Sequence, residues 1–302
     1  MKLNFSQLNR KKKGLNAVGI FAKFGHHTQV ELLLNAGAKL EDAVYGYAFG
    51  KHRIQVDNIL QTHPELIEQA AKGYARAGDE IETEKLAFKS QLAIQKALLV
   101  GYAQANNITY VNAALFSKSS EQYLPSIVTG LADCGHLEVH QYARNPELQN
   151  TAITAAAQSN NSALVIELLA CQGIVMSALS PPLQLNVKEA LGHALIGYGK
   201  GRHFAHVEDL LKLNINPMLC LTAISDQSSI HASDIQSLLQ HLCDESLRQT
   251  VIAIIQEQFG INAGAQEKED FSSDAQLELL FETALTESSP KAESPVLTPK
   301  KY

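Results

Sequence analysis

The sequence predicts an all-α chain, an α-solenoid of about seven short helix-turn-helix repeats followed by a C-terminal helical cap. The first observation behind this is a recurring triplet. Gly46-Tyr47-Ala48, Gly73-Tyr74-Ala75 and Gly101-Tyr102-Ala103 have looser copies at Ile20-Phe21-Ala22, Gly130-Leu131-Ala132, Ala155-Ala156-Ala157 and Gly197-Tyr198-Gly199. Registered on the third residue, successive copies lie 26, 27, 28, 29, 25 and 42 residues apart, a period that belongs to stacked repeats. The second observation is that further columns recur with the triplet. The third is composition: Ala, Leu, Ile and Gln are spread along the chain, Trp is absent, and alternating β-branched runs are lacking.

Each column has a mechanical reading. The anchor residue is small, so that a neighbouring helix can approach closely. Three residues later stand Gly25, Lys51, Gly78, Asn106, Gly135, Asn160 and Arg202. Gly and Asn there suit a left-handed residue ending the first helix, and Lys51 and Arg202 depart from that pattern. Next come His26, His52, Asp79, Asn107, His136, Asn161 and His203, which can cap the helix that follows. Val30, Val56, Thr83, Val111, His140, Val165 and Val207 then open the apolar stripe of the second helix. One such hairpin cannot bury its apolar face alone, so the units must stack.

Ala22-Lys23-Phe24-Gly25-His26, Val30-Glu31-Leu32-Leu33-Leu34 and Ala36-Gly37-Ala38 together resemble the ankyrin repeat. Ankyrin repeats run about 33 residues and open with Thr-Pro-Leu-His. Here Asn16-Ala17-Val18-Gly19 stands in that place and most units are shorter, which predicts loss of the β-hairpin finger. The resemblance covers residues 15–213, strong in the first unit and degenerate after it. Degenerate arrays with Gly-Tyr-Ala units are similar to those of effectors that Legionella-type intracellular bacteria inject through type IV secretion. That resemblance implies a monomer binding a host protein, made in the bacterial cytoplasm and delivered to the host cytosol.

Four segments follow from composition. Residues 1–14 are a basic leader with Lys2, Arg10, Lys11, Lys12 and Lys13, read as solvated, with contact to a membrane surface as the rival use. Residues 15–213 hold the repeats. They include an insertion at 173–187 whose Ser180-Pro181-Pro182 cannot continue a helix. Residues 214–260 are capping helices at 218–225, 234–242 and 245–259. Residues 261–302 form an acidic tail with one amphipathic helix at 273–285. Its Glu-rich character is similar to a type IV export signal.

Net charge is −6 and the body is acidic, which argues against general nucleic-acid binding. No segment approaches the length of a transmembrane helix. Cys134, Cys171, Cys220 and Cys243 are widely spaced and read as free, mostly buried thiols. Cys134, His136 and His140 could face one ion, yet His136 occupies the turn column, so no metal is assigned. No catalytic residue or cofactor is assigned either: Gly197-Tyr198-Gly199-Lys200-Gly201 lacks the strand and the Lys-Ser/Thr of a phosphate loop.

Tyr47, Tyr74, Tyr102 and Tyr198 share the position before the anchor. They form either a packed ladder or an exposed stripe, and as a stripe they are the candidate partner-binding residues. The function expected is non-enzymatic protein binding through the repeat groove. The rival is an enzyme whose site lies within 173–260, with the repeats gripping its substrate.

Overall fold

A computed structural model describes residues 10–11, 14–89, 91–116, 120–225 and 230–261. Among them the regular structure is helical, with no strand element. The helices come in consecutive pairs. These are α1 (Ala17–Lys23) with α2 (His27–Asn35), α3 (Leu40–Phe49) with α4 (Arg53–Thr62), and α5 (Ile67–Ala77) with α6 (Glu80–Ala87). Next are α7 (Leu92–Gln104) with α8 (Ile108–Leu115), α9 (Leu124–Cys134) with α10 (Val139–Tyr142), and α11 (Pro146–Gln158) with α12 (Ser162–Cys171). The seventh pair is α13 (Leu185–Gly201) with α14 (Val207–Lys212); α15 (Met218–Ile224), α16 (Ala232–His241) and α17 (Glu245–Phe259) follow. The odd-numbered helices α1 to α15 pack in chain order, each on the one before it, and each of α2 to α14 packs on its own first helix.

The turn between paired helices is the same seven times. Gly25, Lys51, Gly78, Asn106, Gly135, Asn160 and Arg202 all have φ between 53° and 76°. In each unit the N–H of this residue donates to the anchor carbonyl, as Lys51 does to Ala48 at 3.1 Å. The next N–H reaches the carbonyl before the anchor, as His52 does to Tyr47 at 2.9 Å. This paired bonding is the Schellman helix stop, which demands a left-handed residue. Lys51 (φ 62°) and Arg202 (φ 60°) therefore do not break the pattern, contrary to the expectation from their side chains. The two backbone bonds outweigh the left-handed cost, about 1–2 kcal/mol for a residue with a Cβ.

The column after the turn behaves differently from its sequence reading. Of its members only Asp79 caps the helix that follows, accepting from the Glu82 N–H. His52, His136 and His203 instead use Nε2 to donate to the carbonyls of Lys23 (3.0 Å), Gln104 (3.0 Å) and Gln158 (3.1 Å). Asn161 donates to Ala132 and Asp133. Each of these carbonyls lies at the end of the previous unit's first helix, where helical carbonyls lack partners. The column thus caps backwards across units. In the first unit His26 Nε2 is buried without a hydrogen bond, since no earlier helix among the described residues offers it a carbonyl. Asp79 cannot donate, and its carboxylate instead takes the Arg53 guanidinium at 2.8 Å.

The anchor reading holds and gains a partner. Gly46, Gly73, Gly101, Gly130 and Gly197, two residues before their anchors, lie against the previous unit's first helix. A Cβ there would stand 2.6–2.8 Å from the Cβ of Ala22, Ala48, Ala75, Ala103 and Ala157 respectively. It would also strike the carbonyl of Gly19, Tyr45, Lys72, Val100 or Thr154. In the fifth unit the Val column shifts by one: Val139 is fully buried and His140 is half-exposed.

Ile235, Leu238, Leu239 and Leu242 of α16, with Val251 and Ile255 of α17, are buried against the core of the seventh unit. The insertion is a loop with one short turn at Met176–Ala178. The predicted helix at 273–285, the acidic tail and most of the basic leader lie outside the described residues.

In an unobstructed helix interior Gly→Ala stabilises by about 1 kcal/mol. Gly101→Ala is expected to destabilise instead, by about 1–3 kcal/mol, because the new methyl meets backbone and Ala75. Urea denaturation checks the sign, and a gain in stability would remove close helix approach from the account.

Candidate functional site

The inner face of the first-helix row carries a polar seam. Tyr45 and Lys72 stand three before their anchors and Arg76, Gln104 and Asp133 one after, so they share one helical face, and Ser159 stands two after. Arg76 Nη1 donates to the Tyr45 hydroxyl at 2.6 Å, and Tyr45 donates to Gln104 Oε1 at 2.7 Å. Gln104 Nε2 and Ser159 Oγ both donate to Asp133, each at 2.9 Å. Lys72 and Arg76 lie over the Tyr45 and Phe49 rings, at 5.1 and 4.6 Å from the centroids. Burial holds the Lys72 ammonium below the usual lysine range, with Asp133 pulling the other way. The seam ties the second unit to the sixth.

The chain's own N-terminal segment crosses this face. Lys11 pairs with Asp42 at 3.3 Å, and Asp42 holds its charge above the usual lysine range against the cost of burial. Asn16 donates to the other Asp42 oxygen at 2.9 Å. Gly14 sits among Arg76, Gln104 and Asp133, and Arg10 Nε donates to His203 Nδ1 at 3.4 Å. The reading of the leader as solvated is therefore corrected at Arg10 and Lys11: Asp42 holds Lys11, and the His203 imidazole takes Arg10. The row bends until residues of the second unit (Lys39, Asp42), the sixth (Gln158) and the seventh (Lys200, Arg202) line one 330 Å³ cavity.

The tyrosines predicted to bind a partner do not form an open row. Tyr47, Tyr74 and Tyr198 are 3–5% exposed. They point between the two helices of their unit; Tyr47 bonds His27 at 3.1 Å and Tyr198 stacks near His206. Tyr102 is half-buried and stacks on Tyr110 at 4.6 Å. Three of the four are therefore buried, and they present no exposed stripe.

Tyr102 leads to a site that the sequence reading missed. A 440 Å³ groove on the outer side lies between α6 and α8, floored by Leu98, Leu99 and Tyr102 and walled by Tyr110, Ala113 and Tyr123. It opens where Ala87, Ala113 and Ala114, all small, line the space between the two second helices. Tyr123 is fixed by donating to Gln95 at 2.7 Å. Exposed Glu80 and Glu84 edge the groove and pair with no cation among the described residues. Phe116, just beyond α8, is 90% exposed. The one hint in the sequence was the small residues Ala87, Ala113 and Ala114 on the second helices.

A 690 Å³ cavity borders the region assigned to the rival enzyme: Asn186, Glu189 and His193 come from 173–260, while Glu147, Asn150, Thr151 and Gln172 lie before it. His193 Nδ1 lies 3.1 Å from Thr154 Oγ1, which itself donates to the Asn150 carbonyl. The hydroxyl therefore accepts from the imidazole, the reverse of a nucleophile and its base. Gly197 and Gly201, of the apparent phosphate loop, are packed against the carbonyls of Thr154 and Gln158. The expectation of mostly buried thiols is corrected: Cys171 and Cys243 are exposed, Cys134 is half-buried and Cys220 buried. Among the described residues no three metal-ligating side chains converge, and no helix is long and apolar enough to cross a membrane.

Comparison with family models, with curated proteins and with solved structures returns no match to this chain.

Protonation should release the strap. Burial, and then the Arg10 charge, push His203 from its ordinary 6.5 down to about 3. Its neutral form is required, since Nδ1 must accept from Arg10. The stability it contributes is present above pH 6.5 and lost as pH falls toward 3, on the order of 3 kcal/mol by pH 4. Urea midpoints of wild type should fall more steeply between pH 6.5 and 4 than those of His203→Gln. Parallel curves would show that this histidine is not the sensor.

Proposed function

We propose that the chain is a degenerate ankyrin-like α-solenoid that binds a protein partner without bond chemistry. The binding surface is the outer groove between α6 and α8, in place of the inner face on which the tyrosine row was expected. One observation carries this: Lys11 and Asn16 bond Asp42 on the inner face, while the outer groove leaves apolar side chains uncovered. Soluble proteins leave few such patches without a use. The groove suits an amphipathic helix laid lengthwise, with its apolar face on Tyr102 and Tyr110. Glu80 and Glu84 favour basic residues flanking that face.

The resemblance to injected bacterial arrays makes a host protein the proposed partner, and delivery into the host cytosol the proposed route. Two experiments bear on this. Wild-type protein, Ala113→Glu and the off-groove control Leu185→Asp would be cross-linked to captured host proteins and the contact sites mapped by mass spectrometry. Ala113 and Leu185 are both exposed, so neither change should shift stability by more than about 0.5 kcal/mol. A basic amphipathic partner segment linked near α8, lost in Ala113→Glu and kept in Leu185→Asp, is the expected result. Capture indifferent to Ala113→Glu would remove the groove. In a translocation assay with an N-terminal reporter, deletion of residues 265–302 should abolish delivery, and unchanged delivery would remove the export signal.

A further inference from the structure

Two second helices that the sequence keeps apart bring a thiol, an imidazole and a carboxylate into line. Cys171, the last residue of α12, is exposed. Its Sγ lies 3.7 Å from Nδ1 of His140 on α10. The other ring nitrogen, Nε2, lies 3.6 Å from Oε2 of Glu167. Glu167 and Cys171 are four apart on one helix, so they share a face, and the ring of His140 spans the gap between them. The irregular fifth unit makes this possible. Because Val139 takes the buried position, His140 is turned outward, and its side chain is one-third exposed.

We propose that Cys171 is a reactive thiol, with His140 as its base and Glu167 as a positioning residue, and that it forms mixed disulfides with low-molecular-weight disulfides. The arrangement sets the tautomer. Nε2 faces the Glu167 carboxylate across 3.6 Å, which favours the ring proton on that side and leaves the Nδ1 lone pair for the thiol. His140 Nδ1 takes the Cys171 proton, and the thiolate attacks one sulfur of the disulfide. The new S–S bond forms as the old one breaks. The expelled half leaves as a thiolate and takes the proton back from His140, so one disulfide and one thiol give one mixed disulfide and one thiol. Cys171 lines none of the cavities described above, so the site suits a small reagent that needs no enclosing pocket. Carbonyl substrates would need, in addition, donors for a developing oxyanion.

Cys243 is an internal reference. It too is exposed, its backbone N–H donates to Glu208, and its thiol has no hydrogen-bond or ion-pair partner among the described residues. The test follows glutathionylation of the full chain by oxidised glutathione at pH 7, resolving Cys171 from Cys243 by peptide mass spectrometry. Cys171 is expected to react about tenfold faster or more. His140→Gly should bring its rate to that of Cys243, and imidazole added to the buffer should restore it. Glu167→Gln should slow Cys171 part of the way, without changing Cys243. Equal rates in wild type, or a Cys171 rate indifferent to His140→Gly, would overturn the proposal. Loss in His140→Gly without imidazole rescue would also overturn it, because a structural role alone accounts for that result.

Discussion

The close approach of consecutive first helices is the contact on which the rest depends. A glycine in one helix lies on the carbonyl and the anchor alanine of the helix before it, in five of the units. Side chains between helix axes normally hold them 8–10 Å apart, and removing them allows the backbones nearer. The second helices have no such arrangement and pack on their own partners. A layer that is tight on one side and loose on the other must curve toward the tight side. The curvature places Lys39 of the second unit and Lys200 of the seventh around one cavity.

Curvature then decides what the inner face contains. A shallow groove could take a partner, but a tight one brings polar side chains from different units within bonding range. Tyr45 and Gln104 are two units apart and still bond at 2.7 Å. Such buried polar groups are costly unless each is satisfied. The N-terminal segment helps to satisfy them: Asp42 is shared between Lys11 and Asn16, and His203 takes Arg10. The strap is thus part of the fold's polar accounting. Displacing it would leave Asp42 and its neighbours to find water or a new partner.

Much of this was legible in the sequence and some was not, for physical reasons. Repeating columns fixed the helix pairs, the turns and the buried positions Val44, Ala71, Leu99 and Ile127, all 6% exposed or less. Lys51 and Arg202 misled because the left-handed turn is set by backbone bonds that side-chain identity does not report. The His and Asn column misled because a cap can serve either of two helices, and only the stacking chooses. The inner seam was invisible because its residues do not repeat: Tyr45, Arg76, Gln104, Asp133 and Ser159 differ in type and are related only through the curvature. The outer groove is a deficit, made by small side chains, and periodicity marks what is present. Cys171 and His140 are 31 residues apart and meet only because one unit slips its register.

The two faces therefore differ in how freely they can change. On the inner face each side chain answers to several units at once, so a single substitution strands a buried partner, and such losses run to about 1–3 kcal/mol. On the outer face the second helices lean on their own first helices, and positions such as Ile54 and Ile81 are 71% and 58% exposed. A change at such an exposed position meets few neighbours, and the cross-unit contacts of the second helices lie elsewhere, as at Arg53–Asp79 and His140–Cys171. In this chain the difference runs opposite to the sequence expectation. The tyrosine column and the inner groove belong to stability. The irregular places on the outside are the groove beside Tyr102 and the slipped helix at His140.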